Sequence, residues 1–477
     1  MIHLVRSFSI VLAPLALAAC SGATVSDAER RLGAEQHPRL LAEFGGAYLG
    51  DEAAYLAKLG ARLAAAGELD GSCTFTLINS DVVNAFAVPG CYIYVTRGLM
   101  AIVNSEAELA SVLAHELGHI ARDHSERQER RSIWRSLGVM AIGAITGSAE
   151  LSDLASTAAT YFTLRYSRTH EYEADDFGLK TLEAVGYDPH AAPDMLAALE
   201  RQQAYQQRVR GADEARSIPE WALTHPLTQN RIRRARAAAE EASQDPNALP
   251  ENEAAFLRVV DGLLYGDDPQ QGFVVGRRFA HPVMRIGFEA PAGFTLTNSP
   301  QAILIEGPGQ VRGEFSGGPL PSRGLEAYAE AVLGQTLGDA PFDVVSAVRT
   351  RAHGVPALIV TATVATPQGA VPVSLAAYAT GEAEAYHFLM VSPPSSAPPA
   401  AFGALFRSFA VLSAEQIAAL RPRILRVRTV RPGETSRTLA ARMASERPLE
   451  HFLMLNGRTA SMPLRPGERV KLIEWDR

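Results

Sequence analysis

The sequence is poor in cysteine, in long apolar runs and in basic clusters, and each shortage narrows what the protein can be. Only three cysteines, Cys20, Cys73 and Cys91, occur in 477 residues. If Cys20 is used elsewhere, Cys73 and Cys91 are the one possible internal pair, and sequence alone leaves open whether they are bridged. The formal net charge is −7, and basic residues form only short arginine clusters, which argues against nucleic acid as a partner. The richest cluster, Arg231 to Arg236, lies on a helical segment ending in Glu240-Glu241 and reads as a solvated face. Beyond the N-terminus no apolar run reaches the roughly 20 residues of a bilayer span. The nearest, Leu137–Gly147, is rich in glycine and reads as a buried or membrane-grazing hairpin, with Arg130, Arg131 and Arg135 beside it. No repeat of the helical-array type is evident. At this length several domains are expected.

The most informative segment is His115-Glu116-Leu117-Gly118-His119. Residues four apart share a helix face, so His115 and His119 can offer two imidazoles to one metal ion. Glu116 stands a step further round, within reach of a water held by that ion. Glu171, in His170-Glu171-Tyr172-Glu173-Ala174-Asp175, would be the third ligand and leave one coordination position open, as in a catalytic zinc site. The alternative is a pair of satisfied core histidines. Local context favours the metal. Ser105 and Glu108 form an S-x-x-E capping box, and Leu109, Val112, Leu113, Leu117 and Ile120 have the spacing of a buried amphipathic helix. Imidazole and carboxylate groups are costly in such a helix unless paired or metal-bound.

These residues resemble the gluzincin-type family of zinc metallopeptidases that contains the CAAX prenyl proteases, HtpX and the periplasmic protease BepA. The resemblance extends over ordered blocks. They are Asn84-Ala85-Phe86-Ala87-Val88-Pro89-Gly90 with Tyr92–Val95 and Gly98-Leu99, then Tyr166-Ser167-Arg168 before Glu171, and Thr224-His225-Pro226 with Arg231-Ile232. It covers roughly residues 28–245. Lacking a true span, the chain is more similar to the soluble periplasmic members than to the HtpX-like ones. The resemblance implies one zinc ion per chain held by His115, His119 and Glu171, with Glu116 as general base. It makes Asp175 the carboxylate that orients a ligand imidazole. It makes His225 either the oxyanion donor or a fourth ligand that closes the resting site. Arg231 would support that region, and Asn84 would hold substrate. Cys91 stands where the family usually has a second glycine.

A mechanism follows from such a site. Zinc lowers the pKa of water towards roughly 7 and polarises a carbonyl. Glu116 would take the proton and return it to the leaving amine. His225 or Arg231 would face the oxyanion. Strand Tyr92–Thr96 is expected to pair with an extended peptide by strand addition, giving broad preference and selectivity for unfolded segments.

The N-terminus reads as a targeting segment. Arg6 gives a basic start, Phe8–Ala16 is largely apolar, and Leu17-Ala18-Ala19-Cys20 resembles a bacterial lipoprotein box. Residues 1–19 are then a signal peptide, Cys20 the lipidation site and 20–27 a linker, with the protein anchored by lipid. Ser21 after the cysteine points to the inner face of the outer membrane.

The expected fold class is α+β. A mainly helical zincin-like domain with a small sheet occupies 28–245, with helices near Asp51–Ala66, Glu106–His124, Thr157–Leu182, Pro193–Val209 and Thr228–Ala242. A linker is expected over 246–283, then an α+β sandwich over 284–413 with period-two strands and one helix, Leu325–Leu337. Residues 424–475 resemble a divergent LysM domain of βααβ order, the peptidoglycan-binding module. The residues concerned are Val430, Pro432-Gly433-Glu434-Thr435, Leu439, Leu455-Asn456 and Pro466-Gly467-Glu468, with Ser436 and Arg437 replacing the usual apolar residue. His281 is a rival ligand. The function expected is a zinc endopeptidase of the bacterial cell envelope acting on misfolded or stalled proteins. The alternatives are a chaperone with a His225-closed metal site and, last, a peptidoglycan hydrolase.

Overall fold

The computed structural model describes residues 25–69, 73–124, 166–210, 221, 224–243, 245, 249–338, 340–366, 369–393 and 399–476. The targeting segment with Cys20, the Leu137–Gly147 hairpin and most of the loop before His225 lie outside the described residues.

The first unit begins with α1 (Asp27–Glu43), started by a reciprocal Ser26–Glu29 capping box, and α2 (Asp51–Ala66). A small sheet follows: β1 (Thr74–Ile78), β2 (Ala85–Val88) and β3 (Tyr92–Thr96). Its order is β1-β3-β2, with β3 parallel to β1 and antiparallel to β2. The order corrects an expectation. Both edges of β3 are occupied, so β3 cannot take a peptide strand; the outer edge of β2 is unpaired among the described residues, while β1 is bridged by Ala47 at Ile78. Cys73 and Cys91 are disulfide-bonded across a separation of 18 residues, tying the entry of β1 to the β2–β3 turn. In that turn both Gly90 (φ 89°) and Cys91 (φ 62°) are left-handed.

From β3 the chain passes directly into α3 (Arg97–Ile102), and after Val103–Ser105 into α4 (Glu106–Ala121). Ser105 caps α4 by accepting from Glu108 N at 3.1 Å, but the Glu108 carboxylate returns to Asn104 N (2.7 Å). Then come α5 (Arg168–Ala184), α6 (Ala191–Arg210) and α7 (Gln229–Ala242). Gly118 lets α4 and α5 pack closely, since a Cβ there would lie 3.0 Å from Ala174 Cα. Leu63, Ile93, Leu113 and Leu117 fill the core between these elements.

Most of the stretch expected to be a linker is structured, from residue 249 to 283, which corrects that expectation. They carry α8 (Glu253–Val259), β4 (Leu264–Tyr265), β5 (Phe273–Val275) and β6 (Arg278–His281). Strands this short show no period of their own; β5 and β6 pair with each other, while β4 pairs with a strand some 160 residues later. Next come β7 (Ile286–Glu289), β8 (Thr295–Asn298), β9 (Ile303–Gly307), β10 (Val311–Pro319) and α9 (Leu325–Leu337). The unit continues with β11 (Phe342–Ala352), β12 (Val355–Thr366), β13 (Gly369–Ala379), β14 (Glu384–Val391), α10 (Ala401–Arg407) and β15 (Ala410–Val411). A seven-stranded sheet of order β11-β12-β13-β14-β10-β9-β8 packs on a four-stranded sheet, β15-β7-β6-β5. Phe279, Phe288, Phe315 and Phe388 lie between the sheets, and α9 covers the far face with Tyr328, Leu333 and Leu337.

After α11 (Ala414–Ala418), the C-terminal module runs β16 (Arg423–Thr429), α12 (Ser436–Ala440), α13 (Pro448–Leu455) and β17 (Arg469–Trp475). This is the strand-helix-helix-strand order expected. β4 adds a third strand beside β16. The module shares one continuous core with the first unit, in which Leu425, Leu439, Phe452 and Leu472 join Phe256 and Leu113. Arg97, almost fully buried, straps them together by donating to Leu264 O (2.7 Å) and Gly266 O (2.9 Å). No described helix is long and apolar enough to cross a membrane.

Candidate metal centre

The structure brings His115, His119, Glu171 and His225 together, all buried, with one donor atom of each within 4.8 Å of the others. α4 presents the two imidazoles from one face, and α5 brings Glu171 across from the facing helix. His225 arrives on a tight turn whose amide donates to Trp221 O at 2.8 Å.

The spacings test the fit to zinc. A tetrahedral ion with Zn–N of about 2.0–2.1 Å holds its ligand atoms about 3.3 Å apart. Here His115 Nε2 is 3.1 Å from His119 Nε2 and 3.3 Å from His225 Nδ1. Glu171 Oε1 is 3.1 Å from His225 Nδ1 and 3.6 Å from His119 Nε2, and its Oε2 is 3.7 Å from His115 Nε2.

Proton assignment strengthens the fit. His115 Nδ1 lies 3.0 Å from Asp175 Oδ1, which draws the imidazole proton to Nδ1 and leaves Nε2 as the acceptor nitrogen, with Arg231 Nη2 3.2 Å away. His119 is held well below its ordinary pKa by burial and by the neighbouring His115, so it is neutral. Its Nδ1 contacts His124 Nδ1 at 2.8 Å, and His124 Nε2 contacts Glu173 Oε2 at 3.0 Å. Glu173 accepts from His124 Nε2, His124 Nδ1 accepts from His119 Nδ1, and His119 Nε2 keeps its lone pair. The two acceptor nitrogens lie 3.1 Å apart, and their lone pairs repel unless a cation lies between them. A cation between them removes the conflict, so the donor set is that of a zinc ion.

Each carboxylate nearby has a defined environment. Burial pushes Glu171 up, but Arg231 and His225 outweigh it and hold the carboxyl below its ordinary range. Burial likewise pushes Asp175 up, and Arg231 with the His115 bond holds it well below. Arg231 donates from Nε (2.7 Å) and Nη2 (2.8 Å) to Asp175, and its Nη1 pairs with Glu171. Nη2 also lies 3.2 Å from both ring nitrogens of His115, so Arg231 is engaged by the acids and an imidazole of the site, a supporting place rather than a free oxyanion donor. Glu116 is buried beside the cluster, with Oε1 3.5 Å from His225 Nε2. Burial lowers the His225 pKa, but Glu171 and Glu116 reverse this and raise it. Asn84 opens β2, fully buried. Its Oδ1 accepts from Ala85 N (2.9 Å), while Nδ2 has no hydrogen-bond partner among the described residues. A cavity of about 80 Å³ adjoins the site, with His115 and Glu116 on one wall and Val112, Leu196, Leu199 and Trp221 on others.

His281 lies elsewhere, in β6, where its Nδ1 accepts from Met284 N at 3.2 Å. Sequence reasoning gave no role to His124, Glu173 or the Tyr166 ring stacked on His119 (centroids 3.8 Å). The only signal for His124 is its place five residues beyond His119, just past the helix end.

Residues 51–239 match the model of Peptidase family M48. The chain is 31% identical over 228 residues to the beta-barrel assembly-enhancing protease of Yersinia pestis, covering 45% of this chain and 44% of that protein. It is 32% identical over 197 residues to the protein of that name from Escherichia coli, covering 39% of each. It is 36% identical over 138 residues to metalloprotease YcaL of Escherichia coli, covering 27% of this chain and 54% of that protein. The matched region spans less than half the length of the first two relatives.

Proposed function

We propose that this chain, an M48-type peptidase over residues 51–239, is a zinc-dependent metalloendopeptidase of the bacterial cell envelope that cleaves misfolded or stalled envelope proteins. The observation that carries the reading is the buried cluster in which His115 Nε2 and His119 Nε2 face each other at 3.1 Å beside the Glu171 carboxylate. His115, His119 and Glu171 would hold the ion. When bound it supplies an acidified water and polarises the scissile carbonyl. Glu116 is the base that accepts the water proton and passes it to the leaving amine. The raised pKa of His225 suits it to donate to the developing oxyanion, where such a donor contributes about 3–4 kcal/mol.

Substrate register falls to β2. An extended peptide added along its outer edge gains main-chain bonds whatever its side chains, and the Asn84 Nδ2 donor supplies one more. That geometry selects unfolded chain. The names of two relatives, beta-barrel assembly-enhancing proteases, support an envelope substrate. The lipoprotein-like box at Cys20 supports a lipid anchor on the outer membrane, and the βααβ order of the C-terminal module supports a LysM-like domain able to meet peptidoglycan.

One observation favours a second reading. His225 Nδ1 already lies 3.1 Å from Glu171 Oε1 and 3.3 Å from His115 Nε2, where a fourth ligand would stand. A site closed in this way suits a chaperone or assembly factor. A peptidoglycan hydrolase ranks below both.

Casein digestion by the Ser21–Arg477 fragment, with metal analysis, tests the proposal. Digestion should stop with chelator, return with zinc and be absent in Glu116→Gln with one zinc still bound. Chelator-insensitive digestion overturns it. In cells, Glu116→Gln should reproduce the defects of a deletion; wild-type behaviour would favour the scaffold.

A further inference from the structure

Lys471 is a buried cation that the chemistry above does not use. It stands on β17 of the C-terminal module, 1% exposed, yet its ammonium reaches the first unit. There Nζ donates to Ala101 O (2.8 Å) and Val103 O (2.7 Å). Those carbonyls end α3, where a cation meets the negative end of the helix and satisfies acceptors with no partner inside it. Asn456 fixes the lysine from behind. Its Oδ1 accepts from Lys471 N (2.7 Å), and its Nδ2 donates to Lys471 O (2.9 Å). Glu108, also buried, faces the lysine electrostatically from the first turn of α4.

The place of this contact gives it consequence. α3 is the only element between β3 and α4, so the corner at Val103–Ser105 sets the metal helix against the small sheet. One side of that corner bears His115, Glu116 and His119, and the other bears β2, the edge that would carry substrate. We propose that Lys471 is a positioning residue: by pinning the α3–α4 corner it fixes the register between the substrate edge β2 and the metal helix, so the C-terminal module is part of the peptidase apparatus. The proposal rests on the peptidase reading and deepens it.

Two variants in the full mature chain test it. Lys471→Met removes the cation and strands the Glu108 carboxylate, so Glu108→Gln/Lys471→Met is paired with it to keep the fold. Both should exchange amide hydrogens faster over Val103–Leu109 in the zinc-free protein. Loaded with zinc, the double variant should lose about 10- to 100-fold in kcat/KM on a ten-residue extended peptide. It should keep wild-type turnover on a short capped peptide that spans only the scissile bond. A purely structural lysine would move both substrates together. Equal loss on both, or wild-type kinetics on both with unchanged exchange, overturns the proposal. A zinc-loaded wild type that cuts neither peptide defeats the peptidase reading instead, and the exchange measurement still decides whether the corner is pinned.

Discussion

His124 Nδ1 lies 2.8 Å from His119 Nδ1 and passes that contact on to Glu173, 3.0 Å from its other nitrogen. The chain of three makes His119 a stronger donor by holding its proton on the far side of the ring.

Removing either outer member should therefore weaken zinc without removing a ligand. His124→Ala and Glu173→Gln are expected to lower zinc affinity by about 10- to 100-fold. Competition against a chelator of known affinity measures it, and unchanged affinity in both would refute the relay.

Arg231 holds two buried acids at once, Asp175 and Glu171. Arg231→Met leaves both without their cation and should cost about 3–5 kcal/mol. Guanidinium unfolding of the zinc-free protein should show it; a loss below 1 kcal/mol would mean that water or a rearrangement replaces the guanidinium.

The Cys73–Cys91 bond spans a sequence separation of 18 residues and ties the entry of β1 to the turn of the β2–β3 hairpin. Cys73→Ser/Cys91→Ser should lower stability by about 3 kcal/mol. Because β2 hangs from that hairpin, KM for an extended peptide should rise as well. Denaturation and kinetics with and without reductant check both.

His451 gives a pH signature away from the metal. Burial, aided by Arg423, pushes it down to about 3, and its ring bonds Tyr265 Oη and Ser445 Oγ. A folded pKa below the unfolded value of about 6.5 means the contribution is complete above pH 6.5 and is lost as pH falls from there towards 3. Wild type should lose up to about 1.4 kcal/mol per pH unit more than His451→Gln in that window. Parallel slopes from denaturation at pH 7.5, 6 and 5 would exclude it.

Much of this was readable in the residues themselves. The helix bearing His115 and His119 announced itself through its cap and its apolar spacing, because those signals are local. Glu171 reads as the third ligand beside the helical pair, but His225 needed the resemblance, since nothing in its neighbours says which helix it will face. Strand order was invisible. β3 has the better β pattern and attracted the substrate role, yet pairing on both sides removes it and passes the role to the shorter β2. The stretch 246–283 looked like a connection because β4 has only two residues, and its partner β16 lies some 160 positions later. Lys471 gave no sign at all, as its acceptors are main-chain carbonyls that any sequence would possess.

The outer margin of β2, unpaired among the described residues, has one more implication. A rail that grips only straightened backbone works as a stopwatch. It would sample how long each client leaves a stretch of chain unclaimed by its own strands, so slow assemblers would be cut and quick ones spared, with no recognition code at all.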